Sequence, residues 1–276
     1  MNKEIHTILK RLHATHGVDF SGYCPSMIER RMQNRLGVTE SADFQEYLDY
    51  VETHPEESGR LLNALTINVS RFFRDPLVFE VIAAIILPVI VANKKTRNDH
   101  SLSIWSAGCA LGEEPYSIAI LVHELMRKED IRLNAGIFAS DIDGNALAKA
   151  QQGTYTHGSI NNVKHHVLER YFTVDGESYT LHPDVQALVS FSYYDLLDKK
   201  TYIPPESVFG NFDMALCRNV LIYFQPAYQD IIIGKLHRSL APNGYLVLGE
   251  AEIPTMKYQR HFTRVNECCN IYQKVS

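Results

Sequence analysis

Residues 101–117 read SLSIWSAGCALGEEPYS: a short apolar run, a turn of small residues, then the opening of an apolar helical pattern. Strand, small turn and helix in that order bring a ligand close to the backbone at the strand's end. The turn has Gly108 and Gly112 but not the G-x-G-x-x-G spacing of a phosphate cradle. Two glutamates, Glu113 and Glu114, stand where such a cradle stays neutral or positive. Both suit a helix start, where the backbone dipole favours carboxylates, so capping alone is one reading of them.

Outward from this stretch the rhythm repeats. Pro115–Arg127 reads as a helix, Ala135–Ile142 as a strand, Gly144–Gln151 as a helix, Phe212–Cys217 as a strand, Asp230–Leu240 as an amphipathic helix, and Gly244–Gly249 as a strand. Alternation of this kind predicts βαβ units and a mainly parallel sheet. Phe262–Val265 and Asn270–Gln273 suggest a closing hairpin. Between about 154 and 192 the rhythm breaks into short runs, Tyr171–Val174, Ser178–Leu181 and Leu188–Phe191, separated by Asp-Gly and His-Pro turns. These predict a small antiparallel insertion. Up to residue 75 the pattern is helical. Ser26 and Glu29 read as a capping box, Ile28, Met32 and Leu36 repeat at four-residue spacing before Gly37, and Phe44, Tyr47, Leu48 and Val51 form a second stripe. Ala83–Lys95 reads as an apolar helix interrupted by Pro88. The expected division is 1–75 and 76–276.

The 276 residues carry a net charge of −5, which argues against a non-specific nucleic-acid binder. The longest apolar run, Val81–Leu87, is cut by Pro88 short of a membrane span, and the N-terminus lacks a signal-peptide core. Five cysteines without Cys-x-x-Cys spacing suggest reduced thiols and a cytoplasmic setting. Twelve histidines form no ligand set with carboxylates or thiols, so no metal is expected. Trp105 reads as core, and Cys268-Cys269 as a packed pair.

Asp141, at the end of the second strand in FASDID, decides between readings of the acidic turn. A carboxylate there can accept both hydroxyls of a ribose. A dinucleotide would add a pyrophosphate that Glu113 and Glu114 repel. S-adenosylmethionine (SAM) carries the ribose, no phosphate, and two positive groups, and so fits a glycine-lined turn with carboxylates beside it. Asp143 reads instead as the cap of the following helix. A nicotinamide-dependent oxidoreductase would need a pyrophosphate-accommodating glycine pattern, which is not seen.

Three further stretches join these: NVSRFFRD at 68–75, CRNVLIYF at 217–224, and PNGYLVLGE at 242–250. NVSRFFRD, WSAGCALGEEPYSIAI, FASDID and CRNVLIYF, in this order, resemble the CheR-type chemotaxis receptor methyltransferases over essentially the whole chain. The resemblance implies an N-terminal all-helical domain followed by a Rossmann-like SAM-dependent methyltransferase domain with a small β-subdomain, where the antiparallel insertion falls. It implies transfer of methyl from SAM to receptor glutamates, giving γ-methyl esters and S-adenosylhomocysteine. Its SAM contacts map to Asn68, Ser70 and Arg74, to Glu114 and Asp141, to Asp195 and Leu196, and to Arg218 and Asn219. Ser70 stands where members usually have Thr, and Asp195 where they often have Asn.

The resemblance also places Arg74 and Tyr223 near the transfer centre, as charge partner and orienting hydroxyl. Arg30, Arg31 and Arg35, on the helix with Ile28 and Met32, read on their own as a solvated face. The resemblance makes them a basic surface for the acidic cytoplasmic helices of a receptor. The short Asp-Gly-Glu turn before Ser178 suggests independence of a tethering peptide at the receptor's C-terminus. The competing expectation is a non-catalytic adaptor of the same fold that binds SAM or a receptor as a signal.

Overall fold

The computed structural model describes residues 2–66, 68–207 and 210–275. They divide into two compact units, Met1–Asn68 with Ile222–Gln229, and Val69–Leu221 with Asp230–Ser276. The first therefore ends earlier than the expected residue 75 and takes back a short segment from late in the chain.

The first unit is built on four helices: α1 (Lys3–His16), α2 (Pro25–Thr39), α3 (Phe44–Thr53) and α4 (Pro55–Thr66). Asn2 caps α1 by accepting from the Glu4 N–H, and Gly17 closes it at φ 75°. Asp43 caps α3 through the Gln45 and Glu46 amides, so Tyr47, Leu48 and Val51 turn inward as the stripe requires. On α2 the expected capping box is not what starts the helix. Pro25 occupies its first turn and Cys24 the cap position, without a side-chain bond. Proline's fixed φ and missing N–H suit that position. The helix also runs past Gly37 to Thr39. The returning segment is stitched to the loop before α2: Tyr23 pairs with Phe224, the Cys24 N–H donates to the Tyr223 carbonyl at 2.8 Å, and the Gln225 amide donates to the Ser21 and Tyr23 carbonyls.

The second unit opens with α5 (Pro76–Val81), a π-helical turn at Ile82–Ile86, and α6 (Leu87–Lys95). They form one helix of 20 residues with mean hydropathy 2.2, long and apolar enough by length and composition to cross a membrane. The helix continues through Pro88, where the sequence suggested a break. Proline removes one donor and crowds the carbonyl four residues back, and the wider turn just ahead accommodates it. Phe79, Ile82, Ile86, Leu87 and Ile90 belong to the main hydrophobic core of the second unit.

The remaining elements are β1 (Ser101–Ala107), α7 (Glu113–Glu129), β2 (Asn134–Asp141), α8 (Gly144–Gln152), β3 (Thr154–Thr156), α9 (His157–Ile160), α10 (His165–Tyr171), β4 (Phe172–Asp175), β5 (Ser178–Leu181), α11 (Pro183–Gln186), β6 (Val189–Tyr193), β7 (Phe212–Cys217), α12 (Pro226–Ser239), β8 (Leu240–Leu248), β9 (Phe262–Arg264) and β10 (Ile271–Lys274). A seven-stranded sheet takes the order β6-β2-β1-β7-β8-β10-β9, parallel from β6 to β8, with the expected hairpin β9–β10 closing it antiparallel. A second sheet, β3-β5-β4, is antiparallel. The run at 188–191 does not belong to that insertion. As β6 it lies parallel to β2, with Ile137 beside Val189 and Asp141 beside Tyr193, and Thr154–Thr156 supplies the third strand of the small sheet. Trp105 is fully buried, its indole N–H donating to Ser140 at 2.9 Å.

Candidate active site

Strand order reverses at β1, with β2 on one side and β7 on the other, and ligands in open α/β sheets bind beyond the carboxyl ends of strands at such a point. Asp141 closes β2, Arg218 and Asn219 follow β7, and the Gly108–Gly112 turn follows β1.

The turn is shaped by the backbone. Gly108 (φ 78°), Ala110 (φ 49°) and Gly112 (φ 90°) are all left-handed, a conformation costly for alanine and free for glycine. A Cβ on Gly108 would lie 2.5 Å from the Val220 side chain, so only glycine lets the two loops approach. The Gly108 and Cys109 amides donate to the Ser140 carbonyl, and the Ala110 N–H donates to Asp141 Oδ2 at 2.8 Å. Asp141 Oδ1 accepts from the Asp143 N–H at 2.9 Å. Each carboxylate oxygen thus holds one backbone donor and keeps a further lone pair for a ligand hydroxyl. Burial raises the Asp141 pKa against the pull of those two bonds. Asp143 caps α8 through the Asn145 and Ala146 amides, as its position suggested.

The two glutamates part company at once. Glu114 Oε1 accepts from the Ser106 hydroxyl at 2.7 Å and Oε2 from Arg218 at 3.2 Å. Burial raises its pKa, and Arg218 works in the opposite direction. Glu113 is wholly buried, accepts from Ser159 at 3.1 Å, and also interacts with Ser70. Its second oxygen has no partner among the described residues, and burial raises its pKa as well. Glu113 is therefore the inner peg that ties the start of α7 to Ser70 and to the insertion.

Arg218 is the centre of the site, with its side chain 2% exposed. It donates to Glu114, to Asp75 at 2.8 Å and to the Arg74 carbonyl at 2.8 Å, and lies over the Phe79 ring at 5.2 Å. Phe73 (φ 50°) and Asp75 (φ 57°) are both left-handed, so the segment Arg218 grips is strained as well as anchored. Among the described residues the Arg74 guanidinium has one hydrogen bond, to the Val69 carbonyl at 3.3 Å. Asn219 (φ 59°) donates its backbone N–H to Glu252 at 2.8 Å, and its side-chain carbonyl is buried with no partner among the described residues. Beyond β6, the Tyr194 N–H donates to the Asp141 carbonyl, and Asp195 accepts from the Leu197 N–H at 2.7 Å, with Leu196 buried.

The second unit thus brings together Ser70, Arg74, Glu114, Asp141, Asp195, Leu196, Arg218 and Asn219, while Asn68 and Tyr223 belong to the first. Arg35 is not the free cation the sequence suggested. It makes a two-pronged ion pair with buried Glu57 at 2.8 and 2.6 Å, and Tyr47 donates to the same carboxylate at 2.8 Å. Arg30 is exposed; Arg31 is half-buried, with its Nε buried and unpartnered among the described residues. The sequence reading missed Ser106, Asp75 and Glu252. Glu252 accepts from both the Gly249 and Asn219 amides, and its only signal was its place after the β8 strand.

The fit to a ligand follows from the donors. The positive charge of Arg218 is already met by Glu114 and Asp75, so the turn presents carboxylates, an orphaned amide oxygen and a lightly engaged Arg74. A ribose suits Asp141, a cationic amine or sulfonium suits the acidic wall, and a carboxylate suits Arg74. That set fits SAM and disfavours a pyrophosphate.

The description "CheR methyltransferase, all-alpha domain" matches residues 3–66, and "CheR methyltransferase, SAM binding domain" matches residues 68–269. The chain is similar to a protein of Escherichia coli (strain K12) named chemotaxis protein methyltransferase, 31% identical over 251 residues, or 89% of this chain and 82% of that one. Chemotaxis protein methyltransferase 2 of Vibrio cholerae is 32% identical over 239 residues, or 86% of this chain and 80% of its own length. An uncharacterized 104.1 kDa protein of Rhodobacter capsulatus is 31% identical over 245 residues, 89% of this chain; the match spans 25% of that longer protein.

Proposed function

The chain belongs to the CheR methyltransferase family, and from that premise we propose that it transfers the SAM methyl group to glutamate side chains of chemotaxis receptors, for sensory adaptation. The observation that carries this reading is Asp141, whose two oxygens each hold one backbone N–H and retain capacity for a ribose hydroxyl beside an acidic, glycine-lined turn. The relatives named chemotaxis protein methyltransferase support the same direction.

Asp141 would hold the ribose and Asp195 and Leu196 the adenine. Asn68, Ser70, Arg74, Glu114 and Asn219 would hold the amino-acid end, with Arg218 fixing Glu114 and the Arg74 backbone. The bound cofactor supplies a methyl group on a cationic sulfur. The acceptor glutamate is ionised at neutral pH, with an ordinary pKa of about 4.3, so no general base is needed. Catalysis then rests on holding carboxylate and methyl in line, an effect that can supply roughly 7–11 kcal/mol. Arg74 orients the incoming carboxylate without fully neutralising it, and Tyr223 orients it through its hydroxyl.

The receptor's acidic cytoplasmic helices would meet Arg30 and Arg31, with Arg35 withdrawn by Glu57. The turn Asp175-Gly-Glu177 between β4 and β5 is short, in keeping with independence of a tethering peptide. The setting is the cytoplasmic side of the receptor.

The test is transfer of labelled methyl from SAM to receptor-containing membranes, followed by mild alkali. Label released as methanol identifies a carboxyl ester and supports the proposal. Tight SAM binding with no transfer to any receptor preparation would favour the non-catalytic adaptor.

A further inference from the structure

Just past β8 the chain folds back on itself, with the Glu252 N–H donating to the Gly249 carbonyl at 3.0 Å. Glu252 is 3% exposed, and its Oε2 accepts from the Gly249 N–H at 2.7 Å and from the Asn219 N–H at 2.8 Å. A Cβ on Gly249 would lie 2.6 Å from that oxygen and 2.8 Å from the Asn219 nitrogen, so glycine is what lets the carboxylate reach across. A second group holds the same turn. The Asn270 side-chain amide donates to the carbonyls of Gly249, Glu250 and Glu252, each at 2.9 Å, and the Asn270 carbonyl accepts from the Leu248 N–H at 2.9 Å.

What this clamp fixes is Asn219. Its backbone is left-handed at φ 59°, a sparsely populated conformation that persists where the surroundings impose it. Its N–H is pinned by Glu252, while its side-chain oxygen is buried with no partner among the described residues. Buried acceptors are nearly always matched, so one left open here marks the place of a donor on a ligand. The turn also borders the acidic wall: burial raises the Glu114 pKa, and the nearby Glu252 carboxylate adds to that rise. On the SAM reading, the donor at this end is the ammonium of the cofactor's amino-acid moiety.

We propose that Glu252 and Asn270 are positioning residues for methyl transfer, which set the Asn219 side-chain oxygen to accept from the cofactor's ammonium group. In this role neither touches the cofactor; both act through Asn219. The proposal rests on the SAM reading of the site and is indifferent to the methyl acceptor.

The test uses the full chain and two ligands. S-adenosylhomocysteine carries the amino-acid end, and 5′-methylthioadenosine keeps the adenosine and thioether without it. By calorimetry, Glu252→Ala should weaken S-adenosylhomocysteine about 10-fold and leave 5′-methylthioadenosine unchanged. Glu252→Gln, which keeps an acceptor for the two amides, should restore most of that loss. Asn219→Ala should show the same selective loss, and the double variant Glu252→Ala with Asn219→Ala should lose no more than Asn219→Ala alone, because the two act as one unit. Equal weakening of both ligands, full affinity in Glu252→Ala, losses that add in the double variant, or a Gln variant as weak as the Ala variant would each overturn the proposal. If Glu252→Ala does not fold, Asn270→Ala faces the same two ligands with the same selective loss expected, and an unselective or absent loss removes the proposal. An unaltered chain that binds neither ligand would instead remove the SAM reading, and the proposal with it.

Discussion

Two arginine–carboxylate clusters can be compared among the described residues, one in each unit. In the first, Arg35 meets Glu57 with two parallel bonds and Tyr47 completes the carboxylate; its backbone surroundings are ordinary helix. In the second, Arg218 meets Glu114 and Asp75, yet its own Nε, the Glu113 Oε2 and the Asn219 side-chain oxygen are buried without partners among the described residues. Phe73, Asp75, Ala110 and Asn219 around it are left-handed. Satisfied and relaxed, the first cluster is a structural pin. Under-satisfied and strained, the second is arranged for something that is not protein.

Removing the central cation should separate the clusters most sharply. Arg218→Met leaves Glu114 with the Ser106 hydroxyl but no countercharge, and losing one partner of such a pair costs about 3–5 kcal/mol. Thermal unfolding should show that loss and calorimetry a failure to bind cofactor; a variant that keeps full affinity would refute the central role of Arg218. Asp141→Asn should weaken cofactor binding by roughly 10- to 150-fold, the 1.5–3 kcal/mol of hydrogen bonds to a charged group, without unfolding the chain. Glu57→Gln should cost about 1.5–3 kcal/mol in denaturant unfolding and leave the cofactor constant untouched. A change in that constant would show that the pin is more than structural.

Acid offers a subtler probe. Burial raises the Asp141 pKa in the folded state, so the ionised carboxylate is disfavoured there relative to the unfolded chain. Its contribution to stability is therefore greatest at low pH and is lost as pH rises through the raised value. On mild acidification the wild type should gain stability relative to Asp141→Asn while its cofactor affinity falls. Parallel unfolding and binding titrations check the opposed signs. The smallest effect is expected from Arg30→Glu, which should slow receptor methylation severalfold at low salt, with the difference shrinking as salt rises. An equal change at high salt would exclude steering.

What the sequence could reveal of all this was local. The strand, turn and helix at 101–129, the Asp143 cap and the β9–β10 hairpin each rest on periodicity or on neighbours a few residues apart. The pieces that escaped it depend on distant partners. Arg35 reads as a surface cation until Glu57, 22 positions away, claims it. Glu252 gains meaning only when Asn219, 33 positions earlier, turns its amide toward it. The run at 188–191 has the same composition as the strands of the small sheet, and only pairing with β2 assigns it elsewhere. Glu113 and Glu114 are adjacent in sequence but about 100° apart around a helix, which gives one to Ser70 and Ser159 and the other to Arg218.

The stretch CRNVLIYF is shared by both units: Arg218 and Asn219 belong to the sheet unit, while Tyr223 travels with the helices. The chain crosses from one unit to the other at Leu221–Ile222 and back again at Gln229–Asp230, so the helical unit is assembled from two separate pieces of sequence. A fragment cut at residue 68 would therefore lack part of its own unit.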